Sequence, residues 1–455
     1  MVMTKAEVEM IASELWEIRC KERKRLETLR AYLLGKPSLT WLPTGQPREV
    51  QALARTSRVN LMPLVVKGAT QQLFLGGYVS SDADAATAIW GAWRLNQMPR
   101  KEIGLHKAAS GYGVAYAVSV SGDPVPVMKP VSPLKMTTAY GDSDDWPLYA
   151  LEELSGGRWR LLDGEAVYPL ARVDTKRSRG SVSLVFELAG EPKLHGAAVC
   201  PVVRYLADED LDDPVTGDVE PLIPIQDQMN ITTFHLLLAQ HYGAAGRKVI
   251  IGKMVRDLER QFQQSGANTT MTISANPEDV RVEEISQTDL TGFIDSRKAQ
   301  IELVAAIGQT PVWELMGNLA NLAAAALEEA RESNDRKVEE RKTTFGASHT
   351  QLLGLAGQHL GFEVDPFAEV RWRNARPTRA RALVDLLVTV SEKLGVPSEV
   401  LLDKLPFSEE EIARYRRAVR GEPEPDAASG EAPTEEEGDG AEVAAEANEQ
   451  AGQGV

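Results

Sequence analysis

The chain has 455 residues, 43% hydrophobic and 25% charged, with a formal net charge of −16. One core stops growing near about 250–300 residues, so several sub-domains are expected, and the composition is that of a folded globular chain, not a disordered polymer. No apolar run approaches the ~18 residues that span a bilayer. The two cysteines, Cys20 and Cys200, have neither Cys-x-x-Cys nor Cys/His spacing, which argues against a disulfide framework or a structural zinc site and for reduced, mostly buried thiols.

The N-terminus enters a charged amphipathic pattern without the basic and apolar regions of a secretory leader, so the cytoplasm is the expected compartment. From Thr4 to Leu34, Val8, Ile11, Leu15, Ile18, Leu26, Leu29 and Leu33 recur at helical spacing, and Gly35-Lys36-Pro37 ends the helix. A second helix is expected over Met62 to Leu75, closed by Gly76-Gly77, and a third from Ala83 to Asn96. Tyr112 to Val120 alternates as a strand. Tyr149–Leu154, Arg158–Leu162, Ala166–Leu170 and Val182–Leu188 read as an antiparallel meander, with Cys200–Leu206 its last strand.

At Pro221 the helical period returns and runs to Gly243. Lys248–Gly252 reads as a buried strand opening a small α/β insertion that reaches Ser286, after which a helix over Leu290–Ile307 stops at Gly308-Gln309-Thr310-Pro311. Beyond Gly317-Asn318-Leu319-Ala320-Asn321-Leu322 a long helix is expected from Ala323 towards Phe345, with its charge-dense second half exposed. Helices over Thr378–Leu394 and Ser408–Arg420 follow. Eleven of the 66 acidic residues lie after Arg420 and none of the 50 basic ones does, leaving residues 1–420 with a balance of −5. Residues 421–455 read as a disordered acidic tail.

Chemistry is mostly missing from the pattern. Neither Gly-Lys pair is followed by Ser or Thr, so there is no Walker A cradle, and Gly111-Tyr112-Gly113 precedes a strand and lacks the third glycine of a dinucleotide loop. The six histidines include no His-Glu-x-x-His, and no carboxylate pair stands out as acid and base. No cofactor, metal or catalytic residue is expected. Arg247, Lys248, Lys253, Arg256 and Arg260 form a locally basic group in the insertion, which reads either as solvated surface or as a contact for phosphates or an acidic partner.

The order of these parts, together with Tyr32-Leu33-Leu34-Gly35, Asn60 to Val66, Gly111-Tyr112-Gly113, Pro224-Ile225-Gln226-Asp227, Gly308-Gln309-Thr310-Pro311 and Ala323 to Glu332, resembles the portal proteins of tailed double-stranded DNA phages, of the siphophage head–tail connector type. The resemblance implies an α+β subunit: a wing of N-terminal helices and antiparallel strands over residues 1–220, stem helices at 221–243 and 287–308 around a clip at 244–286, a tunnel-loop region at 309–322, a long helix and wing return at 323–374, a helical crown at 375–420 and the tail at 421–455. It further implies a homo-oligomeric ring, twelve-fold in the virion, at one capsid vertex after assembly in the host cytoplasm. Its partners would be the terminase large subunit, major capsid and scaffold proteins, head-completion connector proteins and the double-stranded DNA passing through the channel. Gly317, Asn318, Leu319, Ala320, Asn321 and Leu322 would then face DNA, and the basic group of the insertion would meet a partner or DNA. The rival reading is an α+β enzyme with a helical C-terminal regulatory region; a third is a helical adaptor of lower order.

Overall fold

The computed structural model describes residues 2–39, 41–141, 146–179, 182–209, 215–243, 247–252, 280–285, 289–317, 331–373, 377–397, 401, 412 and 414–417. In chain order the first elements are α1 (Lys5–Leu33), α2 (Arg48–Thr56), α3 (Met62–Thr70), β1 (Leu75–Val79), α4 (Ala83–Leu95), α5 (Met98–Tyr112), β2 (Val114–Val120) and β3 (Val127–Val131). Then come β4 (Met136–Tyr140), β5 (Pro147–Glu153), β6 (Trp159–Leu162), β7 (Ala166–Arg179), β8 (Val182–Leu188), β9 (Lys193–Leu194) and β10 (Val202–Leu206). The last are α6 (Ile223–Gly243), β11 (Arg247–Gly252), β12 (Val280–Ile285), α7 (Thr291–Ile307), α8 (Val312–Met316), α9 (Glu332–His359), β13 (Glu369–Trp372) and α10 (Pro377–Leu394). The fold is α+β, and the chain divides into two compact units, Met1–Asp385 and Leu386–Val455.

Helix α1 begins at a capping box: the Thr4 amide donates to Glu7 Oε2 at 2.8 Å while Thr4 Oγ1 accepts from the Glu7 amide. At 1.5 Å per residue its 29 residues span about 43 Å, enough to cross two cores. Val8, Ala12 and Leu15 are buried with Leu151, Trp159, Leu161, Tyr168 and Phe186 of the meander. About four turns further on, Leu29 and Tyr32 are buried with Met62, Val65, Leu222, Met229 and Val304.

Four antiparallel sheets are present among the described residues. Strands β4 to β8 form the meander in sequence order, and β9 pairs with the start of β7. Strand β8 ends the sheet, and the amides of Val185 and Leu188 donate to Ser13 Oγ and Glu9 Oε1 of α1, at 2.9 and 3.3 Å. The segment Cys200–Leu206, expected as the last meander strand, belongs elsewhere: residues 202–206 pair with β2 in a three-stranded sheet ordered β10-β2-β3. In that register Val202, Val203 and Tyr205 are all buried, which favours the pairing.

The expected helix Met62–Leu75 ends at Thr70, because Leu75–Val79 is a strand paired with β13, nearly three hundred residues away. Helices α2 and α5 were not anticipated. Gly111 and Tyr112 close α5, and Gly113 is its left-handed cap (φ 89°), where an added Cβ would sit 2.7 Å from the Thr216 carbonyl carbon. Cys200 is buried but Cys20 is exposed on α1, against the expectation of two covered thiols. Helix α9 runs to His359, past Phe345, and its charged half is not simply solvated, as Lys337 and Arg341 are buried. The region expected as a short helix, turn and strand between Gly252 and Val280, the start of the long helix at Ala323, most of the Ser408–Arg420 helix and the acidic tail lie outside the described residues.

The largest core gathers α4, α5, α9, β1, β2 and β10 around Trp93, Phe345, Leu352 and Leu353. Within it His106 of α5 and His349 of α9, 243 residues apart, meet Nε2 to Nε2 at 2.8 Å, and the Tyr205 hydroxyl lies 3.0 Å from His349 Nδ1. Burial drives the His106 pKa down to about 3 and that of His349 well below its ordinary value, so both rings are neutral and one Nε2–H donates to the other. One turn before His106, burial raises the Glu102 carboxyl to about 8, opposed by the Leu75 amide and the Arg373 charge. Glu102 therefore holds its proton in the folded chain between pH 4.5 and 8 and loses it in the unfolded one, and its stabilisation fades as pH rises through 8. Between pH 7 and 9 the wild-type chain should lose about 1 kcal/mol more stability than Glu102→Gln, which keeps the histidines and removes this titration. Urea unfolding of both proteins at the two pH values measures it, and parallel losses would refute the assignment.

Candidate functional site

The part of the fold that the sequence reading marks for function is the helix pair α6 and α7 and the short helices that follow. The N-terminal half of α6 is fixed by amide side chains. Gln226 Nε2 donates to the Val59 carbonyl at 2.5 Å, Gln226 Oε1 accepts from the Leu61 amide, and Asn230 Oδ1 accepts from the Val59 amide at 3.0 Å. Tyr32 donates to the Asp227 carboxylate at 2.7 Å; burial and that carboxylate raise the phenol's pKa. Further along, α6 meets α7 through Gln300 Nε2 and Thr232 Oγ1 at 3.0 Å, and Trp41 packs on Phe234 with centroids 5.1 Å apart.

Between α6 and α7 the chain leaves and returns through the ribbon β11–β12, in register from Arg247 opposite Ile285 to Gly252 opposite Val280. Helix α7 then ends in a hydrogen-bonded break. The Gly308 amide donates to the Val304 carbonyl, the Thr310 amide to the Ala305 carbonyl at 2.9 Å, and Gln309 takes a left-handed conformation (φ 49°). Pro311 opens the five-residue helix α8, which closes on a second left-handed residue, Gly317 (φ 67°). Beside this break lies a cleft of about 550 Å³, walled by Ala305, Ala306, Trp313 and Met316, with Lys298, Glu302 and Ser333 adding polar groups. Arg331 stands over the Trp313 ring at 5.5 Å.

Beneath the break is a buried charge cluster. Lys337 Nζ lies 2.9 Å from Asp218 Oδ1 and 3.1 Å from the Gly308 carbonyl, and Arg341 donates to the same Asp218 oxygen at 3.1 Å. All three side chains are at most 6% exposed. Asp218 is itself placed by its amide, which donates to the Ser110 carbonyl at 2.8 Å. Among the described residues no group of three or more His, Cys, Asp and Glu side chains is arranged to hold a metal ion, and no helix is long and apolar enough to cross a membrane.

This succession of parts, from α1 through the helix pair and its ribbon to the long helix, is matched from end to end by one family. A profile described as "Phage portal protein, SPP1 Gp6-like" covers residues 12–422. The chain belongs to this family of phage portal proteins. No curated protein matches it. Among solved structures the portal protein is similar to a chain in the virion of a native gene transfer agent particle, with 16% identity and a TM-score of 0.48 over 87% of this chain and 99% of that one. It is also similar to chains in two necks of that kind of particle. In the neck of the native particle, computed with C12 symmetry, identity is 15% and TM-score 0.49, and in that of the empty particle, computed with C6 symmetry, 16% and 0.49; each covers 84% of this chain and 96% of the other.

Of the tunnel-loop residues expected from the sequence, Gly317 is placed at the end of α8, while Asn318, Leu319, Ala320, Asn321 and Leu322 lie outside the described residues. Arg247 and Lys248 stand in β11, opposite Ile285 and Glu284, so that strand is present as expected; Lys253, Arg256 and Arg260 lie outside the described residues. Sequence reading missed Asp218, Lys337 and Arg341. The signal was present, because Asn334, Val338, Arg341, Phe345 and Leu352 continue one stripe at three-, four- and seven-residue spacing, and an apolar stripe interrupted by a cation marks a buried charge. Asp218→Asn removes the carboxylate that Lys337 and Arg341 share, leaving Arg341 with Glu340 at 3.9 Å, and should cost about 3 kcal/mol of stability. Denaturant unfolding checks this, and a loss below about 0.5 kcal/mol, the scale of an ordinary surface change, would show that the cluster is solvated.

Proposed function

We propose that this portal protein closes into a ring of twelve copies at one capsid vertex, forms the channel through which double-stranded DNA is packaged and ejected, and serves as the docking site for the terminase large subunit and the head-completion connector proteins. Family membership over residues 12–422 carries the reading. In it the protein is a structural component of the virion, assembled in the host cytoplasm with major capsid and scaffold proteins, and not an enzyme. Residues 221–243 and 287–308 serve as the stem, 244–286 as the clip, 309–322 as the tunnel-loop region and 375–420 as the crown.

The physical chemistry supports a conduit. A channel that DNA must slide through cannot hold many phosphates, since each neutralised phosphate strengthens binding; a balance of −5 over residues 1–420 suits weak repulsion. Gly317, Asn318, Leu319, Ala320, Asn321 and Leu322 carry no charge, and the small residues between Gly317 and Ala326 would let neighbouring copies approach one another closely. The sequence holds no Walker A cradle, which suits a motor supplied by a separate protein.

Negative-stain electron microscopy of the purified protein, with solution mass, tests the ring directly. End-on classes should show a closed ring whose channel admits a duplex ~20 Å across. A chain that stays monomeric alone and beside capsid and scaffold proteins would sink the reading. In the clip, Arg256→Glu with Arg260→Glu should weaken binding of the terminase or a connector protein at least about tenfold while the rings persist. Unchanged affinity for both would remove the basic group from the docking surface.

A further inference from the structure

We propose that Lys337 is a positioning residue that sets the direction in which α8 leaves α7, and with it the starting point of the segment beyond Gly317. The break between the helices does not hold itself. Gln309, a residue with a Cβ, occupies a left-handed conformation that costs about 1–2 kcal/mol in isolation, so neighbouring contacts must impose it. On one side the wall is apolar: a Cβ at Gly308 would lie 2.9 Å from Val65 Cγ1, so the backbone there is pressed onto α3. On the other side the Gly308 carbonyl, freed by the end of α7, accepts from Lys337 Nζ at 3.1 Å and from Thr310 Oγ1 at 3.2 Å.

Lysine suits this position for a physical reason. Its compact ammonium has three donors and reaches Asp218 and the Gly308 carbonyl together, at the negative end of the α7 dipole. Arg341 shares Asp218, but among the described residues it is Lys337 whose side chain is hydrogen-bonded to the Gly308 carbonyl, so the two cations have different duties although they share a carboxylate. Removing Arg341 weakens the cluster; removing Lys337 weakens it and also frees the break.

The experiment reads that difference. A nitroxide attached at Met316→Cys, which is 37% exposed on α8, in a Cys20→Ser background, reports the mobility of the short helix. Lys337→Met should shorten the label's rotational correlation time about twofold or more, whereas Arg341→Met should leave it unchanged. Gln309→Gly, which relieves the left-handed conformation with Lys337 intact, should also leave it unchanged, and this variant keeps the test open if Lys337→Met fails to fold. Equal mobility in the two cation variants, no response to Lys337→Met, or release of α8 by Gln309→Gly alone would overturn the proposal. Its consequence for DNA passage rests on the portal reading and is measured separately. Lys337→Met rings should package less DNA than Arg341→Met rings; if the wild type forms no rings while the label still responds, the ring reading falls and the positioning role stands.

Discussion

A single buried carboxylate, Asp218, shared by Lys337 and Arg341, ties together the three segments on which the helix pair depends. It lies just before α6, its two cations come from α9, and one of them also holds the last turn of α7. Removing such charges from water is costly, and attraction repays that cost only when the geometry is held from several sides. Here the loop carrying Asp218 can approach because glycine stands at Gly113 and Gly217, whose absent Cβ atoms would collide with backbone at 2.7 and 2.4 Å. The electrostatic centre and the close backbone packing are therefore one requirement.

Around that centre the apolar cores are separate in composition but share helices. Helix α1 contributes to the meander core and, farther along, to the core of α3, α6 and α7. Helix α9 contributes Phe345, Leu352 and Leu353 to the largest core and Lys337 and Arg341 to the charge cluster. Each long helix thus spans two environments.

Much of this was legible from periodicity. The stripe of α1, the meander, the two helices flanking an insertion and the stop at Gly308–Pro311 all follow from local spacing, because each element buries a face that its own residues define. What escaped depended on distant partners or on residue types of double meaning. Gly76 and Gly77 read as a helix stop, yet they lie in a strand created by Glu369–Trp372. Helix α5 is interrupted in pattern by Gly104 and Gly111, and α2 buries only Ala54, so neither shows a clear face. Lys337 and Arg341 sit among Glu339, Glu340 and Lys342 in a run that reads as solvated charge, and only the fold brings Asp218 to them.

The outer strand β8 has a further significance. The amides of Val185 and Leu188 are taken up by side chains of α1 instead of being left to recruit another strand. Where many identical copies are held side by side, a bare strand edge would invite one subunit's sheet to extend into the next and grow into an open-ended fibre. Ser13 and Glu9 occupy these two donors, so that stretch of β8 offers fewer free amides to a strand of another chain.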